Sequence, residues 1–220
     1  MKLKKKMFLL LLGFSLLVWG GAGYTQNMES PKKLRVGRVH QGGVIVYLNG
    51  SSGLIAAPEI QGFDAPWTSE SYEARVRELG HPIPTGARGT QIGAGNTNTA
   101  LIVATMGSGN YAAKICQDLD LNGYSDWFLP SKDELNMLFK NSKAFSDGVF
   151  NFWGYVVHNQ EAYLKGSKGI GKHSATYWTS TEDPDKEISE LFDVWLQSAD
   201  NEPIAIPISE KANVRCFRSF

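Results

Sequence analysis

Three carboxylates that follow a predicted strand have the residue types needed to bind a metal ion. Glu182, Asp183 and Asp185 come directly after the segment Tyr177–Thr181. Carboxylate oxygens are the ligands that Ca²⁺ prefers in proteins. A solvated acidic turn opened by Pro184 explains the same residues, because aspartate and proline also favour turns. Calcium is therefore the one cofactor hypothesis that these residues raise, beside the interpretation that the chain has no cofactor.

Side chains suited to a sugar occur in two other places. Asn96 and Asn98 end a glycine-rich segment, and side-chain amides can donate to and accept from sugar hydroxyls. Trp67 and Trp153 lie in segments without a regular pattern, where an exposed indole could stack on a sugar ring. Structural roles explain the same residues: the asparagines bind loop backbone or cap a helix, and the tryptophans pack in the core.

Two glycine motifs resemble nucleotide-binding loops without completing them. Gly166–Lys172 has the phosphate-loop spacing, but His173 stands where a Ser or Thr must hold magnesium. Gly93-Ala-Gly95 begins a dinucleotide fingerprint, but Asn98 replaces its third glycine. We therefore predict no nucleotide ligand.

No catalytic set is evident from residue spacing. The four histidines lack the spacing of a metal site, and no Ser-His-Asp order or nucleophile elbow is present. The 22 basic residues balance 22 acidic ones, which argues against a nucleic-acid partner. We expect a protein that is not an enzyme.

The first 23 residues have the pattern of a secretory signal peptide. Four lysines among residues 2–6 precede an apolar run over residues 7–19 and a small-residue exit. The run is shorter than the roughly 20 residues that span a bilayer, although a retained anchor is the alternative. We expect cleavage near Gly23, a tether over residues 24–34, one domain over residues 35–220 and no membrane span in the mature chain. Export would place the protein in the periplasm, at the cell surface or outside the cell, with 18 basic and 22 acidic residues left.

Export also bears on the two cysteines of the chain. Cys116 and Cys216 are the only thiols present, and thiols outside the cytosol tend to form disulfides. Two buried free thiols are the alternative.

The elements that must position these residues are short strands and two or three helices. Gly43–Leu48 and Leu54–Ala57 flank turn residues and predict a hairpin. Helices are predicted over Thr99–Thr105, from about Asn110 until Asn122-Gly123, and after Ser131, which forms a capping box with Glu134. Further strands are predicted over three ranges: Thr176–Thr181, Phe192–Leu196 and Asn213–Phe220, the last with Val214, Cys216 and Arg218 on one face. This order predicts an α+β fold.

Several blocks together resemble the Lcl C-terminal domain family. They are Gly42–Leu48, Gly53–Pro58, Ile92–Asn98, Ala112–Cys116, Asn122–Leu135, Tyr177–Glu182 and Val214–Arg218. The resemblance covers most of residues 38–220 and implies a C-type-lectin-like fold of short antiparallel strands, related to that of formylglycine-generating enzymes. In such folds a helix cysteine is bonded to one in the last strand, which implies a Cys116–Cys216 disulfide and leaves no cysteine for catalysis. Residues 141–174 do not match the pattern.

The resemblance implies an exported, non-catalytic module that binds a glycan or a protein at the cell surface or in the periplasm. One alternative is an enzyme of another type whose residues 141–174 line a pocket near His158 or Glu161. The other alternative is a structural component of a surface assembly.

Overall fold

The computed structural model describes residues 33–141, 176–183, 193–198 and 203–220. Residues from Leu34 to Phe220 belong to one compact unit. The described residues contain four helices: α1 (Glu70–Leu79), α2 (Gly95–Met106), α3 (Ala112–Gln117) and α4 (Lys132–Lys140). They also contain nine strands: β1 (Val39–His40), β2 (Gly43–Asn49), β3 (Ser52–Ala56), β4 (Gly62–Pro66), β5 (Thr176–Glu182), β6 (Asp193–Ser198), β7 (Ile204–Pro207), β8 (Lys211–Val214) and β9 (Phe217–Ser219). The predicted α+β class is confirmed.

The first sheet contains the predicted hairpin. Its order is β1-β2-β3-β9, and all of its pairs are antiparallel. Val44, Ile45 and Val46 are all buried, because the two faces of β2 contact different clusters of apolar side chains. The β-branched run that predicted a strand is therefore a strand covered on both faces.

The second sheet has the order β4-β8-β5-β6-β7. Its pairs are antiparallel except β5 with β8, which run parallel. Every residue of β5 is buried, and α2 and α4 both contact this strand. The sheet is therefore mixed, whereas the family resemblance implied short antiparallel strands.

The prediction of a single last strand over Asn213–Phe220 is wrong, because two strands of different sheets lie in this region. Lys211–Val214 pairs in the five-stranded sheet, whereas Phe217–Ser219 pairs with β3 in the four-stranded sheet. Arg215 and Cys216 carry the chain from one sheet to the other, and both are buried. The sequence does not reveal this change of sheet, because the residues are buried on both faces. Apolar and polar residues alternate along a strand only when one of its faces meets water.

The disulfide lies beside this change of sheet. Cys116 in α3 is bonded to Cys216, and their Cα atoms are 5.3 Å apart. The bond joins residues 100 positions apart in the sequence. The predicted pairing of the two cysteines is present.

One predicted helix cap is confirmed, and one helix of the structure was not predicted. Ser131 accepts a hydrogen bond from the backbone N–H of Glu134, and the Glu134 carboxylate accepts one from the N–H of Ser131. Helix α1 was not predicted, although Ser69 caps its start and Gly80 ends it in the left-handed conformation with φ of 74°. Helix α3 ends at Gln117, before the predicted stop at Asn122, because the chain turns at Asp118.

No helix among the described residues is long and apolar enough to cross a membrane. The predicted signal peptide, most of the tether and nearly all of the segment 141–174 lie outside the described residues.

Candidate functional site

Two of the polar residues singled out from the sequence, Asn98 and Glu182, bond to one glycine-rich segment, residues 85–94, which we call the clamped loop. Glu182, at the end of β5, holds the start of this loop. One carboxylate oxygen accepts hydrogen bonds from the backbone N–H of Thr85 at 2.9 Å and from its hydroxyl at 2.8 Å. The other oxygen accepts from the N–H of Gly86 at 3.2 Å. Because Glu182 is buried, these bonds replace the water that its carboxylate would otherwise require.

The middle of the loop is held by Asn98 and Thr181. The Asn98 side chain donates to the carbonyl of Gly89 at 2.7 Å and accepts from the N–H of the same residue at 3.2 Å. The hydroxyl of Thr181 also donates to the Gly89 carbonyl, at 2.9 Å. The N–H of Glu182 donates to the carbonyl of Ala87 at 2.8 Å. The loop backbone therefore runs beside the end of β5 with its polar groups paired.

The end of the loop is held by the capping residues of α4. Ser131 donates its hydroxyl to the carbonyls of Thr90 and Gln91, both at 2.9 Å. The Glu134 carboxylate accepts from the N–H of Gly93 at 2.8 Å, in addition to the N–H of Ser131. The residues of the capping box thus fix a loop about 40 positions away in the sequence.

Glu134 is fully buried, and burial raises its pKa, while hydrogen bonds from the backbone of Ser131, Gly93 and Gly95 act in the opposite direction. A side chain at position 95 would collide with this carboxylate and with the ring of Phe128. Glycine is therefore required at position 95 by the close approach of α2 to the buried acid.

The clamped loop and the first turn of α2 expose polar side chains on a fixed backbone. Arg88 is exposed between Ala87 and Gly89, whose backbones are bonded to the Glu182 N–H and to the side chains of Asn98 and Thr181. Gln91 and Asn96 are exposed as well. A guanidinium and two amides offer many hydrogen-bond donors and two acceptors to a ligand. Because the backbone is already ordered, binding here loses little conformational entropy.

Trp67 lies in the core and not at the surface, which corrects the prediction of an exposed stacking residue. Its indole is 1% exposed and donates a hydrogen bond to the carbonyl of Thr179 at 2.9 Å. The residue follows β4 directly, and its indole reaches the backbone of β5, which is separated from β4 by β8 in the sheet. Trp153 lies outside the described residues.

The calcium candidates do not form a metal site within the described part of the chain. Both oxygens of Glu182 are used by Thr85 and Gly86, and the backbone N–H of Asp183 donates to the carbonyl of Asp193 at 3.0 Å. No group of three His, Cys, Asp or Glu side chains among the described residues is arranged to hold a metal ion. Asp185 lies outside the described residues.

Sequence reasoning missed the second role of Ser131 and Glu134, which it assigned to helix capping alone. It also missed Thr85 as the partner of Glu182. The available signal was the run of glycines at 86, 89, 93 and 95, because such a loop needs side chains from elsewhere to pair its backbone.

Comparison with known proteins gives little further information. No family model matches the chain, and no curated protein matches it. Among solved structures, a fimbrial protein from Bacteroides ovatus is similar with 16% identity and a TM-score of 0.40. The match covers 75% of this chain and 35% of the fimbrial protein, so the chain spans about a third of that protein's length. A similarity this remote carries no argument about fold or function.

Proposed function

We propose that the chain is an exported, non-catalytic binding module that recognises a glycan through the exposed residues of the clamped loop. The observation that carries the proposal is the set of hydrogen bonds that holds the clamped loop. Glu182, Asn98 and Glu134 are buried polar side chains, and all three bond to the backbone of one surface loop or of the residues beside it. Burying such groups is unfavourable unless they are paired, and here the pairing fixes a loop that displays Arg88 and Gln91.

The chemistry of the displayed groups favours a glycan over an apolar partner. The side chains of Arg88, Gln91 and Asn96 present only polar termini, and planar amide and guanidinium groups match the donor and acceptor pattern of sugar hydroxyls. The disulfide supports export, because such bonds persist in oxidising compartments. The proposal includes the C-type-lectin-like fold that the sequence resemblance implies.

A glycan array probed with the purified chain tests the proposal. We expect binding to a subset of glycans, and about a tenfold loss in the variants Arg88→Ala and Gln91→Ala, since each removes hydrogen bonds to a hydroxylated ligand. The array is run with calcium and with a chelator, and calcium independence is expected because both carboxylate oxygens of Glu182 already accept hydrogen bonds from Thr85 and Gly86.

Arg35→Ala provides a matched control, because Arg35 is also an exposed arginine but lies far along the chain from the loop. If Arg35→Ala and Arg88→Ala weaken glycan binding equally, the binding depends on nonspecific charge and the proposal is contradicted. Absence of binding to every glycan, combined with binding of a surface protein that Arg88→Ala abolishes, would replace the glycan with a protein partner.

A further inference from the structure

A cleft separate from the clamped loop lies between α1 and the turn that joins β7 to β8. Its volume is about 270 Å³. Its floor is apolar and consists of Tyr72, Val76 and Ile208, of which Tyr72 and Ile208 are buried. The Tyr72 hydroxyl points away to the carbonyl of Ile83, to which it donates at 2.9 Å, so the ring is held in place. Burial raises the pKa of Tyr72 to about 12, and the floor therefore stays uncharged over the physiological pH range.

The rim of the cleft is polar and has no net charge. Thr68, Glu73, Arg77 and Ser209 complete the lining. The Thr68 hydroxyl donates to one carboxylate oxygen of Glu73 at 2.7 Å. The other oxygen lies 3.8 Å from a guanidinium nitrogen of Arg77, which is longer than a hydrogen bond. Both groups therefore retain capacity to bind a ligand across this gap.

A hydroxyl is the group that matches the gap between Glu73 and Arg77. It can donate its hydrogen to the carboxylate and accept a hydrogen bond from the guanidinium at the same time. An ammonium group would be repelled by Arg77, and a carboxylate or sulfate would be repelled by Glu73. The rim therefore favours an uncharged, hydroxyl-bearing ligand, while the floor favours one with an apolar face.

The size of the cleft restricts the ligand further. A volume of 270 Å³ corresponds to about nine water molecules at their share of liquid volume, and it lies just below the usual range for pockets that enclose drug-sized ligands. One sugar ring has the required size, an apolar face and hydroxyls along its edge. We propose that this cleft binds a single neutral sugar residue, with the apolar face of the ring against Val76, which lies beside the buried Tyr72 and Ile208, and its hydroxyls between Glu73 and Arg77. The site is independent of the clamped loop.

Saturation-transfer NMR on the purified chain tests this site. The probes are the methyl glycosides of glucose, galactose and mannose together with N-acetylglucosamine, and glucuronate and glucosamine serve as charged counterparts. We expect signal transfer to at least one neutral sugar and about tenfold weaker binding of the charged compounds. Ser209→Trp, which fills the cleft from an exposed turn, should weaken the neutral sugar at least about tenfold, and so should Arg77→Ala.

Ser51→Trp is the matched control, because Ser51 is an exposed serine at the tip of the β2–β3 hairpin. It should leave sugar binding unchanged. No transfer to any neutral sugar overturns the proposal, and so does transfer that Ser209→Trp and Arg77→Ala leave unchanged. If Arg88→Ala abolishes sugar binding and Ser209→Trp retains it fully, the cleft is not the binding site and the clamped loop is supported. If only Ser209→Trp and Arg77→Ala lose sugar binding, the cleft is supported, whatever the glycan array shows for the clamped loop.

Discussion

Arg218 forms a two-point ion pair with Asp126. Its Nε donates to one carboxylate oxygen at 2.7 Å, and a terminal nitrogen donates to the other at 2.8 Å. Its remaining terminal nitrogen donates to the backbone carbonyl and side chain of Gln41, and the guanidinium lies 4.0 Å from the ring centre of Tyr124. Arg218 thus ties β9 both to the β1–β2 turn and to the segment before α4.

Asp126→Asn should lower the free energy of unfolding by about 1 kcal/mol at pH 7. Hydrogen bonds to charged groups contribute more than this when buried, but the Asp126 side chain is 57% exposed. The hydrogen bonds from Arg218 lower the pKa of Asp126 below its usual value. This contribution is therefore present above the unfolded-state pKa of roughly 4 and is lost as the pH falls through the lower folded-state pKa.

Urea unfolding at pH 7 and pH 2 measures the effect. Asp120→Asn serves as the control, because Asp120 is exposed and should contribute nothing at either pH. A difference between Asp126→Asn and the parent chain that is as large at pH 2 as at pH 7 would contradict the assignment.

Replacing both cysteines by alanine should destabilise the fold by about 4–5 kcal/mol. The disulfide closes a loop of 100 residues, and the chain-entropy model assigns this stabilisation to the restricted unfolded state. Urea midpoints of the double variant and the parent chain give the difference. The parent chain measured under reducing conditions should match the variant, and a loss below about 1 kcal/mol in both would contradict the entropic estimate.

Gly95→Ala should destabilise the protein, although replacing glycine by alanine in the middle of a helix ordinarily stabilises it by roughly 0.5–1 kcal/mol. The added methyl group would collide with the Glu134 carboxylate and the Phe128 ring, so the sign of the effect reverses. Thermal unfolding measures the change. Asn96→Ala, one position along and exposed, should be neutral or slightly stabilising, and the same sign for both variants would argue against the close approach.

Glu182→Ala should release the start of the clamped loop. It leaves the N–H groups of Thr85 and Gly86 and the Thr85 hydroxyl without their acceptor, at about 1–3 kcal/mol for each buried group left unpaired. Amide hydrogen exchange at residues 85–89 should accelerate more than exchange in β2. The exposed Glu210→Ala provides the control, and unchanged exchange at Thr85 and Gly86 would show that the carboxylate does not hold the loop.

Glu134 should make the protein more stable as the pH falls, in contrast to Asp126. Burial raises the folded-state pKa of Glu134, so the folded protein binds this proton more tightly than the unfolded chain does. The corresponding stabilisation is full below the unfolded-state pKa of about 4.3 and is lost as the pH rises through the higher folded-state pKa.

Glu134→Gln removes this titration and should flatten the stability profile above about pH 4. It should also lower the free energy of unfolding near pH 5 by about 1–3 kcal/mol. The two Glu134 oxygens accept from the N–H groups of Gly93 and Ser131, and the glutamine N–H₂ group cannot accept, so one of these N–H groups loses its partner. Unfolding free energies from pH 4 to pH 8 provide the test. A Gln variant with the same profile as the parent chain would exclude Glu134 as the titrating group.

Local patterns predicted the hairpin and the Ser131 cap, because both depend on residues close in sequence. The change of sheet after Val214 was not predictable, because Arg215, Cys216 and Phe217 are all buried and their alternation is lost. Helix α1 could have been found from Ser69, Tyr72, Val76 and Gly80, which are a cap, an i, i+4 apolar pair and a left-handed stop. Trp67 was misplaced because nothing near it in the sequence indicates Thr179, to which its indole is bonded.

The change of sheet between β8 and β9 determines when the protein can fold during its synthesis. Strand β8 lies between β4 and β5, and β9 pairs with β3, so neither sheet can be completed before residues 211–219 have left the ribosome. Pairings this distant in sequence form late and slowly. Residues 211–219 thus complete both sheets, so neither sheet can close much earlier in folding than the other.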